Sequence, residues 1–256
     1  MKKVPGKANP GTGRGKGKPE REAPKTRIQG RDRNRSAESR EIRHRVINQL
    51  NLIYNILYFQ KQFSRESCCA DLLESAQKRI KAIALVYEHL DPEPGFNRVR
   101  FAGYCKGLLG EIMESASRAG KITVRTRIAP VSLDVATAVT CGLIVNELLQ
   151  NALRHAFPGD RRGQIFFGLQ ERQDGSVAIR VSDDGIGLPA EVQWRRSGSL
   201  GSFLVNTLSE NLKGELALDA HTGTSFELRF YPAPAGAGKV AGRRKVAEGT
   251  RQGVRK

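Results

Sequence analysis

The chain lacks several features that would have placed it quickly. No stretch holds the roughly 18–20 consecutive apolar residues that span a bilayer, and no apolar segment follows the lysines at the N-terminus. Neither a membrane span nor a secretory signal is expected, and a cytoplasmic protein is the default. Aromatic residues make up only 6% of the chain, which speaks against an aromatic-studded nucleic-acid surface. The four cysteines, Cys68, Cys69, Cys105 and Cys141, show neither CxxC spacing nor a matching histidine cluster, so reduced thiols rather than a zinc site are expected. No GxxxxGK[ST] sequence occurs, which excludes a P-loop.

Charge is present in excess but is unevenly spread. Of a net +17, residues 1–40 hold 13 Lys/Arg against 4 Asp/Glu, and residues 235–256 hold 7 against 1, leaving the middle with about +2. Residues 1–37 and 233–256 are rich in Gly, Pro, Ala and like charges and have little to bury, so both are expected to be disordered basic tails. Such tails solubilise, or meet acidic surfaces non-specifically.

Between them two rhythms follow one another. From about 37 to 64 the apolar residues Ile42, Val46, Leu50, Ile53 and Leu57 recur at helical steps, and Leu72, Leu73, Ala76, Ile80, Ile83, Tyr87 and Leu90 repeat the pattern until DPEPG ends it. Residues 38–97 therefore form a helical hairpin. A hairpin cannot cover both its apolar faces, and pairing with a second copy as a dimeric four-helix bundle solves this. Residues 98–232 alternate helices and strands: a helix near 99–118, a strand at 122–128, a long helix from about Leu133 to Ala156, strands at 164–170 and 176–182 joined by the turn RQDG, a helix at 200–213, and strands at 215–219 and 225–231. This is an α+β sandwich with helices on one face of a mixed sheet.

Four stretches of this second part carry possible chemistry. In NELLQNALRHAF, residues 146–157, Glu147, Asn151 and His155 are spaced by four and share a helical face. The set suits a magnesium-triphosphate site, although alone it is also an ordinary polar face. In Val181-Ser-Asp-Asp-Gly-Ile-Gly-Leu-Pro189 an aspartate ends a strand, where it can accept from an exocyclic amine, and two glycines allow close backbone approach; a plain turn is the simpler reading. Ser197-Gly-Ser-Leu-Gly-Ser-Phe-Leu204 sets glycines at a helix start, a place that favours phosphate. Gly223-Thr-Ser-Phe226 is a small-residue turn entering a strand.

In this order the four stretches resemble the ATP-binding (GHKL, or Bergerat) domain shared by histidine kinases, type II topoisomerases, heat-shock chaperone ATPases and mismatch-repair ATPases: NELLQNALRHAF its N box, DDGIG and SGSLGSFLV its two glycine boxes, GTSFEL its closing strand. Upstream, RHRVINQLNLIYNILYFQ and RIKAIALVYEHL resemble the two bundle helices of the HRxxN subclass of sensor histidine kinases (HisKA type 2, HWE-like). By that resemblance His44 is the phosphoacceptor. The helical pattern adds that His44 lies roughly 160° to 200° from Ile42 and Val46, and so faces away from the bundle core.

The resemblance implies that ATP and Mg2+ are bound and that Glu147 polarises the nucleophile. Asn151 would hold magnesium, Arg154 and His155 neutralise phosphates, and Asp183 read the adenine amine. Gly185 and Gly187 would shape the pocket, Gly201 cradle phosphate, and Thr224 close the adenine side. Leu188 to Leu200 would be a mobile lid, with Trp194 and Arg195 serving packing and solvent charge. A homodimer is implied that passes phosphate to an aspartate of a response-regulator receiver domain. Residues 1–37 cannot form a sensing domain, so input is expected from an upstream sensor protein, the tails or the bundle. Ile47 stands where the subclass has lysine, Tyr87 where it commonly has histidine, and Phe203 where it has arginine. The residues alone leave two alternatives: a non-catalytic phosphotransfer or scaffold protein, and a serine kinase of the type that antagonises sigma factors.

Overall fold

The computed structural model describes residues 26–63, 67–91, 98–116, 121–188, 194 and 199–233. The chain opens with an antiparallel helical hairpin, α1 (Thr26–Phe63) and α2 (Ser67–Glu88). Most of both tails, and most of the segment expected as a lid, lie outside the described residues.

Helix α1 starts well before its expected beginning, within the span read as a disordered tail. Pro24 is the last proline before it, and neither glycine nor proline occurs from 31 to 63, so nothing in that stretch breaks the helix. The contact seam of α1 also differs from the expected stripe. Val46, Leu50, Tyr54, Leu57 and Lys61 are half-buried against α2, whereas Ile42 and Ile53 face solvent. His44 is exposed, as its position on the wheel requires.

The second unit contains β1 (Arg98–Arg100), α3 (Phe101–Ala116), β2 (Ile122–Ile128), β3 (Ser132–Asp134) and α4 (Val135–Asn151), the last continuing as a π turn over Ala152–Ala156. Then come β4 (Gly163–Glu171), β5 (Val177–Asp183), α5 (Leu200–Asn211), β6 (Glu215–Asp219) and β7 (Thr224–Phe230). The main sheet has the order β2-β4-β5-β7-β6; β2 and β4 run parallel and the other neighbours antiparallel. Alternation decides its faces: Ile165, Phe167 and Leu169 of β4 and Phe226, Leu228 and Phe230 of β7 are buried under the helices. The expected α+β sandwich is therefore present. The small β1–β3 sheet was not anticipated, and α4 starts at Val135 rather than Leu133 because Asp134 caps it, accepting from the Thr137 N–H at 3.0 Å.

One core serves more than the sheet unit. Leu85 and Val86 of α2 are buried in the same cluster as α3 and α4, and His89 lies edge-on to Tyr104 with its Nδ1 3.0 Å from the Leu85 carbonyl. The C-terminal part of α2 is thus anchored on the sheet unit. Among the described residues, no helix is long and apolar enough to cross a membrane.

Candidate functional site

The candidate site is a cavity of about 380 Å3 between the end of α4 and the β5–β7 strand pair. Its apolar walls come from Leu148, Ala152, Val181, Ile186, Trp194 and Phe226. Register builds one wall: Val181 stands opposite Phe226, and Asp183 opposite Thr224, so all four face the cavity across two strands.

Asp183 is held in place by the backbone. Its Oδ1 accepts from the Gly185 N–H at 3.0 Å and the Thr224 N–H at 3.2 Å. Burial nevertheless pushes its pKa above the ordinary aspartate value, the two backbone donors only partly offsetting the desolvation. The DDGIG loop is tied to the π turn by the Ile186 N–H, which donates to the Ala156 carbonyl at 3.0 Å. Gly185 permits this approach, since a Cβ there would stand 2.4 Å from the Ala156 carbonyl oxygen. Gly223 has φ +76°, and a Cβ on it would lie 2.0 Å from the Asp183 carbonyl oxygen. Gly187 also has positive φ, +74°, and lines the cavity with Thr224.

At the other end polar groups gather. Asn151, His155 and Ser199 line the cavity, and Ser199 caps α5, accepting from the Ser202 N–H at 3.2 Å. The first turn of α5, where helix N–H groups point outward, lies beside Asn151. Gly201 sits in that turn, and a Cβ on it would come within 3.1 Å of Glu147 Oε2 and 3.8 Å of Asn151 Oδ1. His155 and Arg154 are exposed in the π turn, and only His155 borders the cavity. Partial burial, with Arg154 beside it, pushes the His155 pKa below 6.5, so at neutral pH it offers an N–H donor rather than a positive charge.

Of the expected site residues, His44, Glu147, Arg154, Gly185 and Gly201 do not line this cavity. His44 lies on α1, outside the sheet unit. Glu147 is 6% exposed and makes a two-pronged ion pair with Arg79 of α2, Nε–Oε1 2.8 Å and Nη2–Oε2 3.0 Å. Sequence reasoning did not single out Arg79. Trp194, expected to serve packing, has its ring buried against Phe226, centroids 4.7 Å apart, and lines the cavity. The alternation that placed Phe226 two residues after Thr224 was the available signal for that wall.

The cavity fits a purine nucleotide: apolar walls, an acceptor at one end and helix N–H groups at the other. Among the described residues, no group of three or more His, Cys, Asp or Glu could hold a metal ion by itself. Asn151, which lines the cavity, would offer an amide oxygen to a magnesium ion carried in on the nucleotide's phosphates.

Comparison with known proteins agrees with this geometry. Residues 41–116 match a family model described as histidine kinase, of the HisKA_2 type, and residues 136–234 match the histidine kinase-, DNA gyrase B- and HSP90-like ATPase model. The chain is 29% identical over 179 residues to blue-light-activated histidine kinase 2 of Erythrobacter litoralis, covering 69% of this chain and 51% of that protein. It is 32% identical over 212 residues to the sensor histidine kinase PdtaS of Mycobacterium tuberculosis, covering 80% and 42%. The chain thus spans about half the length of the curated relatives it matches. The solved histidine kinase domain of the Erythrobacter litoralis EL346 blue-light-activated histidine kinase superposes with a TM-score of 0.58 at 25% identity, over 70% of this chain and 95% of that one.

Proposed function

Starting from the chain's membership in the histidine kinase family, with a HisKA_2 segment followed by its ATPase domain, we propose that it phosphorylates its own His44 from Mg-ATP and hands the phosphoryl group to an aspartate of a response-regulator receiver domain. The observation that carries this reading is the doubly held Asp183 opposite an α5 N-terminus in one nucleotide-sized cavity, on the same chain as an exposed histidine.

In this reading Asp183 accepts from the adenine amine, Val181, Trp194 and Phe226 enclose the base, and Thr224 closes the adenine side. Gly185 and Gly187 let the loop approach the base. Asn151 and the N–H groups around Gly201 receive the phosphates, with His155 donating at the rim and Arg154 supplying positive charge from outside. Magnesium, when bound, neutralises charge on the phosphate oxygens. The lone-pair nitrogen of the His44 imidazole attacks the γ-phosphorus. The N–P bond forms as the bond to the bridging oxygen of ADP breaks, and Glu147 takes the proton from the other ring nitrogen.

Homodimer formation belongs to the same proposal. Leu52, Ile56, Phe59 and Phe63 recur at steps of four, three and four on a face of α1 that α2 does not cover, and all are exposed. The test is incubation with γ-labelled ATP and magnesium. Acid-labile label that disappears in His44→Gln is expected; acid-stable label, or label that survives the substitution, refutes the histidine-kinase reading.

A further inference from the structure

The contact between α2 and α4 has a firm end and a loose end. At the firm end Leu85 and Val86 are buried in the common core, and the His89 ring packs on α3, where a Cβ on Gly103 would be 3.0 Å from it. At the loose end, one to three turns earlier on α2, side chains meet across a second cavity of about 380 Å3 bordered by Tyr54, Gln77, Lys78, Glu111, Asn146 and Gln150. The Asn146 Nδ2 is buried there without a hydrogen-bond partner, a cost that an optimised contact would not carry. The specific bonds across this end are the Arg79–Glu147 pair and a Lys78–Gln150 hydrogen bond of 3.2 Å.

The hairpin register shows what this contact does to the site. Lys61 pairs with Glu74, and Gln77 donates to the Tyr54 carbonyl, so His44 stands level with about residues 87–91, at the end of α2 and just beyond it. Arg79 is about 8–12 residues short of that level, roughly 12–18 Å along the axis at 1.5 Å per residue. In this arrangement both Glu147 oxygens are engaged, the carboxylate is buried, and it is well displaced from the histidine of its own chain. Burial equally keeps it from a histidine on a second copy.

We propose that Arg79 is a positioning residue that withholds Glu147 from His44, so that phosphoryl transfer requires the Arg79–Glu147 pair to part while the Leu85–Val86–His89 contact serves as the pivot. This rests on the assignment of Glu147 as the proton acceptor. Arginine suits the task because its planar fork engages both oxygens at once, and lysine cannot reproduce that geometry. An input that favours the open arrangement raises the rate by raising the fraction of molecules with Glu147 free.

The test uses the full chain. Arg79→Lys keeps the stem and the charge but loses the fork, and Arg79→Ala removes both. If the closed arrangement holds about nine molecules in ten, Arg79→Ala raises the single-turnover labelling rate by about ten-fold, with Arg79→Lys in between. The affinity for a fluorescent ATP analogue stays within about two-fold, which also reports folding. Amide exchange in 74–82 and 143–150 speeds up in Arg79→Lys independently of chemistry. Unchanged or slower labelling by Arg79→Lys with nucleotide affinity retained overturns the proposal, as does unchanged exchange. Glu147→Gln separates the two readings. If it labels like the unsubstituted chain, the proton-acceptor role fails; if it is inactive and Arg79→Lys is not faster, Arg79 alone is misassigned.

Discussion

Asp183 faces two opposing demands. Its carboxylate must be charged to accept well from an adenine amine, yet its surroundings favour the neutral form, because burial outweighs the help of the Gly185 and Thr224 N–H groups. A carboxyl whose pKa is raised on folding favours the folded state more as pH falls through that range, so the empty protein gains from acid at this residue. Nucleotide binding does the reverse: it is full above the raised pKa and weakens as Asp183 is protonated. Calorimetric titration from pH 7 downward is expected to show ATP affinity falling at a pH above the ordinary aspartate value of 3.8. Asp183→Asn keeps an oxygen for the backbone donors but loses the charge. It should lower affinity by about 10- to 100-fold, as for a lost hydrogen bond to a charged group, and should flatten the pH dependence. Asp183 was legible in the sequence because its partners, Gly185 and a Gly-Thr turn, are marked by local residue types. Arg79 was not, because its partner lies 68 positions away and nothing near it signals the pairing.

At the scale of elements, periodicity located the five strands of the main sheet to within a residue, since each alternates over five to nine residues against one helical layer. The strands β1 and β3 escaped because three residues cannot display an alternation. The π turn escaped as well. Its residues ALRHA continue a helical pattern, and the extra residue is accommodated where the helix meets the DDGIG loop at Ala156. That junction and the β5–β7 pair fix the pocket, and Gly223 is its tightest point. Gly223→Ala forces a Cβ against the Asp183 carbonyl at a φ that L-residues rarely adopt. The expected cost is about 2–3 kcal/mol, roughly 5–10 °C in Tm by calorimetry, with nucleotide affinity falling because Asp183 moves. A melting temperature unchanged from that of the unsubstituted protein contradicts this account of the turn.

For the whole molecule, the sequence divides hairpin from sheet unit at residue 97, whereas the structure buries Leu85 and Val86 of α2 in the common core. A helix with one apolar stripe does not reveal which neighbour covers it, so this sharing was out of reach of pattern reading. The same limit applies to α1, whose seam with α2 runs through Val46, Leu50, Tyr54 and Leu57 while Leu52, Ile56, Phe59 and Phe63 project outward. Four large apolar side chains at coiled-coil spacing on one exposed face cost the monomer hydration free energy that a second helix relieves, each buried chain contributing about 1.5–3 kcal/mol. A second copy of the hairpin supplies the same face and closes the arrangement by two-fold symmetry. Ile56→Glu combined with Phe59→Glu places two carboxylates per chain in that contact without touching the α2 seam or the nucleotide cavity. Sedimentation is expected to show a dimer for the unsubstituted chain and a monomer for the double variant, with ATP affinity unaltered in both. A variant that stays dimeric places the interface elsewhere, and a monomeric unsubstituted chain that still labels His44 shows that transfer runs within one chain.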